Sequence, residues 1–309
     1  MHRPSVFVPS SVAAVAAIVI GLLVVSCSPE EPAATATPEP TPPGPTPTPT
    51  LNAELMDRPW NLLFVGIDHN AAREGAGEPM NTDAVMFASL SADQSELTLV
   101  SLPRDTVDVP MADGTIYARK INGLYAEHGI DALVGAMESL YEVEIDGHVV
   151  LDMDDFASLV DAVDGVRVRL EQPLVDPIVD LDLEPGKHTL DGSEALGYVR
   201  TRVDQDYGRM GRQQEVIVRL VERLTDPGAD LDLAELLEGL DSLETDLPLD
   251  QLPTLLELGR RALDADVDRL VIRPPLITFE GLSADGRGYI LVPDVEAIRA
   301  EVQQLIGAD

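Results

Sequence analysis

An α/β fold is predicted for this chain by three observations. Beyond Trp60, short apolar runs rich in Val, Leu and Phe alternate with stretches whose apolar residues recur at helical spacing. At 309 residues and 45% hydrophobic, the chain has enough apolar material for one large domain or two small ones. A single cysteine excludes a disulfide scaffold and no internal repeat is evident, so the fold must rest on a packed core.

The N-terminus reads as a targeting segment. After Met1, His2 and Arg3 comes an uncharged stretch whose densest part, Val12 to Val25, is apolar and has the length of a signal-peptide core. Counted from Val6 it approaches the roughly 20 residues that span a bilayer, so an uncleaved transmembrane anchor is the alternative. Cys27 follows Val24, Val25 and Ser26 and precedes a polar segment, an arrangement that resembles a bacterial lipobox, in which the cysteine is acylated and becomes the mature N-terminus. Residues 1–27 are therefore expected to tether the chain to a membrane, with Cys27 as the lipidation site. Residues 28–58, Pro- and Thr-rich and containing PTPPGPTPTPT, cannot bury a core and favour an extended spacer. Residues 59–309 are left for the folded domain.

Within it, NLLFVGID reads as a strand ending in Asp68. DAVMFASL and LTLVSLPRD are two more strands, joined as a hairpin by the turn signal SADQSE. A turn centred between Asp93 and Gln94 sets Asp83 opposite Arg104, so two acids and an arginine converge at one sheet edge unless each is a solvated strand-end charge. KINGLYAEHG follows a loop. DALVGAMESLYEV is helical, with Leu133, Met137 and Leu140 on one face. HVVLDM is a strand, DDFASLVDAVDG a helix stopped by Gly165, and VRVRL an alternating strand. DGSEALGYVR supplies a turn and a short helix leading to Arg200 and Arg202, which share one side if the chain there is extended.

From about Tyr207 the pattern turns helical. Arg209 and Gln213 are spaced i, i+4 near the helix N-terminus, a place favourable to anions, while Arg212, Val216 and Leu220 form a second column. Gly208 and Gly211 would permit close backbone approach by a ligand. Beyond Thr225, the stretches AELLEGLDSL and LPTLLELGRRAL are acidic and amphipathic. RLVIRPP, GYILVPD and a helix from Val292 to Ile306 complete the same domain.

Charge narrows the function. The formal net charge is −34 with only 21 Lys plus Arg, which argues against nucleic acid as a partner, since that needs a broad basic surface. Yet Arg200, Arg202, Arg209 and Arg212 fall within a few turns of sequence, beside Asp206. Surface pairing with carboxylates contributes little stability, so the cluster points to a concentrated anionic ligand.

FVGID, NTDAVMFASL, SLPRD, KINGLYAEHG, YVRTR and DYGRMGRQQ occur in an order and spacing that resemble the LytR-CpsA-Psr family, over Leu62 to about Leu224. The resemblance implies a three-layer α-β-α domain with a central mixed β-sheet, and an extracytoplasmic, membrane-anchored place in a bacterial cell envelope. It also implies a phosphotransferase that moves a glycopolymer from a polyprenyl-pyrophosphate carrier to peptidoglycan or a related wall glycan. Carried over, Asp68 and Asp83 would hold Mg²⁺ (or Mn²⁺). Arg104, Arg200, Arg202, Arg209 and Gln213, with Asp206, would bind pyrophosphate, and Arg104, Asp83 and Asp105 would serve catalysis. Phosphoryl transfer asks mainly for such positioning and charge neutralisation. Many members carry arginines where this chain has Asn81 and Asp108, which motivates one alternative, a lipoprotein that binds the carrier without turning it over; the other has water replace the wall hydroxyl, giving a polyprenyl-pyrophosphate hydrolase.

Overall fold

The computed structural model describes residues 51–69, 80–226, 228 and 243–307. The expected leader, Cys27, most of the spacer and nearly all of AELLEGLDSL lie outside the described residues. In chain order the elements are α1 (Ala53–Met56), β1 (Trp60–Asp68), β2 (Asn81–Leu90), β3 (Glu96–Ser101), β4 (Val109–Pro110), β5 (Ile116–Tyr117), α2 (Leu124–His128), α3 (Ile130–Tyr141), β6 (Gly147–Leu151), α4 (Met153–Ala162), β7 (Val166–Leu170), β8 (Leu174–Asp176), β9 (Leu181–Leu183), β10 (Gly186–Leu190), α5 (Gly192–Arg200), α6 (Gln205–Thr225), β11 (Glu244–Thr245), α7 (Leu252–Asp264), β12 (Asp266–Val271), β13 (Ile277–Leu282), β14 (Tyr289–Pro293) and α8 (Val295–Leu305).

Apolar residues on both faces of β1 explain why this strand lies inside the sheet. Leu63, Val65 and Ile67 enter one core and Trp60, Leu62 and Phe64 another, the period-2 alternation of a strand covered on both sides. The six-stranded sheet has the order β11-β6-β1-β2-β3-β12. β1 runs parallel to β6 and antiparallel to β2, β2 is antiparallel to β3, and β3 is parallel to β12, so the sheet is mixed.

On one face, Leu133, Met137 and Leu140 of α3 and Ile298 and Val302 of α8 pack against Val85, Phe87 and Val100. Each of these is fully or almost fully buried, and truncating one to alanine would cost about 2–5 kcal/mol. On the other face, Leu258 of α7 joins Ala88, Leu90, Leu97 and Leu99, with Val218 of α6 beside them. The layers are helix, sheet and helix.

Two expected strands lie outside the central sheet. VRVRL pairs as β7 with β10, and GYILVPD as β14 with β13, each in a two-stranded ribbon. The first ribbon, with α4, α5 and α6, encloses its own apolar cluster around Val160, Val166, Tyr198 and Leu220. α4 ends through two left-handed residues, Asp164 (φ 59°) and Gly165 (φ 80°). A Cβ at Gly165 would stand 2.7 Å from the Leu190 carbonyl oxygen, so glycine is required there by packing as well as by conformation.

Candidate active site

The β2–β3 hairpin sets the first half of the site. Its pairing runs from Leu90↔Leu97 to Met86↔Ser101, and the Leu102 amide donates to the Val85 carbonyl at 3.0 Å, extending the same register. Continued two residues further, that register brings Arg104 to Asp83, and Arg104 Nη1 donates to Asp83 Oδ1. β1 and β2 pair regularly up to Gly66↔Ala84 and then shift to Ile67↔Thr82, which leaves Asp83 as the extra residue of a β-bulge. A bulge re-aims a side chain out of strict alternation. Here Asp83 lines the same cavity as Asp68, at the end of β1.

α5 and α6 bring the second half. The Asp191 carboxylate accepts from the Glu194 amide at 2.8 Å in a capping box, which fixes the start of α5 and delivers Arg200 in its last turn. Arg200 Nη2 lies 3.2 Å from Asp68 Oδ1. On α6, Arg209 Nη1 is 3.7 Å from Asp83 Oδ2 and its Nη2 is 3.7 Å from Asp206 Oδ1, while Arg202 Nε is 3.3 Å from that same Asp206 oxygen. Arg200 and Arg202 therefore engage different carboxylates rather than sharing one side. Asp105 completes the group, 3.9 Å from Arg104 Nε and 2.7 Å from Lys120 Nζ. Gln213 lines the cavity with Asp68 and Asp83 and donates to the Val199 carbonyl at 3.2 Å.

Burial gives these arginines their character. Arg209 is 1% exposed, and among the described residues its Nε and Nη2 find no hydrogen-bond acceptor; Arg104 Nε finds none either. Burial lowers the pKa of Arg209, and the positive Arg202 and Arg104 add to this, more than Asp206 and Asp83 restore. For Arg104 burial also acts downward, but the adjacent Asp83 carboxylate overrides it and the net shift is upward. Both stay cationic, since guanidinium does not deprotonate in proteins. Unsatisfied, buried N–H groups on cations are costly unless an anion meets them.

Not every residue of the cluster faces a ligand. Arg212 donates from Nε to the Tyr198 carbonyl at 2.8 Å, from Nη1 to Asp204 at 2.5 Å and from Nη2 to the Thr201 carbonyl at 2.6 Å, so it fastens the α5–α6 connection. Gly208 does not open the backbone to a ligand either. A Cβ there would meet the Asp204 carboxylate at 2.1 Å, whereas one at Gly211 would meet nothing within 4 Å.

Asp68 and Asp83 supply hard carboxylate oxygens on one cavity wall, the donor type that Mg²⁺ takes. Among the described residues no group of three or more acidic, histidine or cysteine side chains is placed to hold a metal. These two carboxylates fit a cation whose remaining ligands come from water and phosphate.

The cavity beside them, about 100 Å³, is also lined by Asp152, Arg200 and Gln213, and its remaining walls are apolar, with Phe64, Met86, Leu151, Phe156, Val216 and Ile217 among them. A second apolar cavity of about 200 Å³ shares Phe64 and Ile217 with the first and runs on between the sheet and α7, past Leu97, Leu255 and Leu258. The two cavities thus adjoin at Phe64 and Ile217 along the sheet face, with the charged residues lining the first.

The LytR_cpsA_psr family model matches residues 30–294. This chain belongs to the LytR-CpsA-Psr family. It is 27% identical over 262 residues to Biofilm regulatory protein A of Streptococcus mutans, covering 79% of this chain but 63% of that protein, less than two thirds of its length. It is 29% identical over 248 residues to the polyisoprenyl-teichoic acid–peptidoglycan teichoic acid transferase TagU of Enterococcus faecalis, covering 79% and 78% of the two chains. The structure of the LytR-CPS2A-psr family protein YwtF (TagT) with bound octaprenyl pyrophosphate lipid superposes with a TM-score of 0.60 at 22% identity, over 82% of this chain and 92% of that one, a likeness of fold.

Positions 81 and 108 both lie in defined surroundings. Asn81 stands opposite Asp68 across the β1–β2 pair. Asp108, in a left-handed conformation (φ 57°), accepts from Arg287 Nη1 at 3.0 Å, so its charge is matched by a cation. Sequence reasoning passed over Arg287 and Lys120. Lys120 sat within the KINGLYAEHG motif, but nothing local tied Arg287, in the turn before β14, to this place.

Proposed function

We propose that this protein is an extracytoplasmic phosphotransferase that transfers a glycopolymer from a polyprenyl-pyrophosphate carrier to peptidoglycan or a related wall glycan. The observation that carries the reading is the junction of charge and grease: Asp68, Asp83 and Arg200 line a largely apolar cavity that adjoins a second one between sheet and α7. An anionic headgroup on a long hydrocarbon is the ligand class that such a junction suits. TagU of E. faecalis carries a transferase name of this type, and YwtF holds octaprenyl pyrophosphate, which supports the same reading.

In this reading the pyrophosphate oxygens meet Arg104 and Arg209, whose spare N–H groups are already buried and desolvated, with Arg200 and Arg202 at the flanks. Planar guanidinium groups donate bidentately to phosphate oxygens, and low local dielectric strengthens the contact. Asp68 and Asp83 would hold Mg²⁺, which would supply further neutralisation of the pyrophosphate charge. A wall-glycan hydroxyl attacks the sugar-bearing phosphorus, the P–O bond to the carrier phosphate breaks, and polyprenyl phosphate leaves. The hydroxyl proton passes to a carboxylate of the cluster. Asp83 and Asp105 both lie beside Arg104, and Asp105 is held by Lys120. Anchoring through residues 1–27, by a lipid on Cys27 or by an apolar helix, would keep the site near its lipid substrate; among the described residues no helix is long and apolar enough to cross a membrane.

The test is transfer of label from a labelled lipid-linked glycan to peptidoglycan in the presence of Mg²⁺. Arg104→Ala should abolish it, and transfer by that variant at the wild-type rate would overturn the role given to Arg104. Release of free glycan regardless of acceptor would instead identify a hydrolase. Tight carrier binding with no product at any Mg²⁺ concentration would identify a binding protein.

A further inference from the structure

The β13–β14 ribbon is docked onto the site by its backbone. The Leu291 amide donates to the Asp105 carbonyl at 3.1 Å and the Val107 amide donates to the Leu291 carbonyl at 2.9 Å. Glu280 pairs with Leu291 and Leu282 with Tyr289, so these four side chains share one face of the ribbon. Leu291 is buried at its inner end, while Tyr289, 45% exposed, and Leu282, 78% exposed, lie toward solvent. Glu280 accepts from the Tyr289 hydroxyl at 2.7 Å and from the Tyr207 hydroxyl at 2.8 Å. Tyr207 sits on the first turn of α6, next to Asp206 and two residues before Arg209. Tyr289 in turn feels the charges of Asp105 and Asp206.

Two tyrosines bridged by a carboxylate thus overhang the rim of the arginine cluster, in a chain that is only 4% aromatic. The two hydrogen bonds hold the carboxylate and both hydroxyls in place, yet a carboxylate has about four acceptor positions, so half of its capacity faces outward. A part-exposed tyrosine ring offers an apolar face and a polar tip. A pyranose ring is complementary to that arrangement: its C–H face lies on the aromatic ring and its hydroxyls donate to the carboxylate.

We propose that Tyr207, Glu280 and Tyr289 form a saccharide-binding subsite at the rim of the pyrophosphate site, taking a pyranose ring of a glycan substrate. This rests on the transferase reading for its place in the reaction, and names where a sugar of the acceptor or of the donor glycan is held. Neither apolar cavity is lined by a residue of the β13–β14 ribbon, which leaves the ribbon side for glycan.

The test titrates the full chain with a tetramer of β-1,4-linked N-acetylglucosamine and with soluble peptidoglycan glycan strands, followed by saturation-transfer NMR and calorimetry. Steady-state transfer then gives separate KM values for the acceptor and the lipid-linked donor. Glu280→Gln and Tyr289→Ala should each weaken saccharide binding about tenfold or more, the loss expected for a hydrogen bond to a charged group. Phe279→Ala, on the opposite face of the same ribbon, should not. A rise confined to the acceptor KM assigns the subsite to the acceptor, and one confined to the donor KM assigns it to the donor glycan. Wild-type affinity and wild-type KM values in the folded Glu280→Gln variant, which is nearly isosteric, would overturn the proposal, as would absence of saccharide binding in either form by the wild type. Failure of the transferase reading has a different signature: no product and no binding of prenyl pyrophosphate, while the saccharide titration still decides the subsite.

Discussion

Arg209 and Asp83 face one another at 3.7 Å, outside hydrogen-bond range, although Arg209 is 1% exposed. A buried cation that is held but not fully hydrogen-bonded is a cost to the folded state that an arriving anion can relieve. Arg209→Met should therefore leave the ligand-free protein as stable as the wild type or up to about 2 kcal/mol more stable, since Asp83 keeps Arg104 and Asp206 keeps Arg202, so that no buried charge is stranded when this one is removed. The same variant should lose the rise in Tm that geranylgeranyl pyrophosphate produces in the wild type. Thermal unfolding with and without that lipid checks both halves.

Gly208 and Gly211 lie one turn apart on α6 and should respond oppositely to alanine. At Gly208 the new Cβ displaces the Asp204 carboxylate and breaks its 2.5 Å bond to Arg212. A loss of about 1–3 kcal/mol is expected from a broken, part-buried ion pair and a forced shift. At Gly211 the Cβ enters open space, and better helix propensity should add about 0.5–1 kcal/mol. Urea unfolding of the two variants measures the contrast.

Phe64 and Ile217 are the residues common to the two apolar cavities. Ile217→Trp should obstruct the passage between them. Short prenyl pyrophosphates should bind this variant within about threefold of wild type, while chains long enough to reach the second cavity should lose about tenfold or more, roughly the burial of one or two methylenes. Equal losses at every chain length would mean that the passage does not carry the hydrocarbon.

All six tyrosines have raised pKa values. Burial is the leading cause for Tyr117, Tyr125, Tyr141, Tyr198 and Tyr207, and the hydrogen bond to Glu280 for Tyr289, with Tyr117 and Tyr289 reaching about 12. Their folded values lie above the ordinary value of about 10, so the stability they confer is complete below that pH and is lost as pH rises through the folded values. An alkaline titration read by tyrosinate absorbance should show little ionisation near pH 10 to 11, then a steep rise coinciding with unfolding. A gradual step of several tyrosines near pH 10 in folded protein would contradict this.

How much of this site could be read from sequence depended on the range of the contact. Asp83 and Arg104 were paired correctly because a hairpin register follows from its turn and its alternation, both local. The bulge that turns Asp83 toward Asp68 left no local mark, since it depends on the partner strand. Helical spacing separates Arg212 from Arg209, placing it in a column with Val216 and Leu220, but it does not name the partners of Arg212. Only the α5–α6 connection folding back on it, through Tyr198, Thr201 and Asp204, makes one a fastener and leaves the other facing the carboxylates. The α/β class was legible from alternating runs, but which strands share the central sheet was not: β7 and β14 pair in separate ribbons, because pairing partners are chosen by packing rather than propensity. Arg287 reaches Asp108 across 179 positions, beyond any spacing rule.

Order of synthesis matters for a site closed in this way. The segment Asp105–Val107, which follows Arg104, is clasped by the backbone of Leu291, near the end of the chain. A nascent chain that has released α6 already holds Arg104, Arg200, Arg202 and Arg209, but the strand that steadies the Arg104 loop has yet to emerge. The site is thus completed only after Leu291 has emerged, and a chain cut short before it would carry every arginine of the cluster without the backbone clasp on Asp105–Val107.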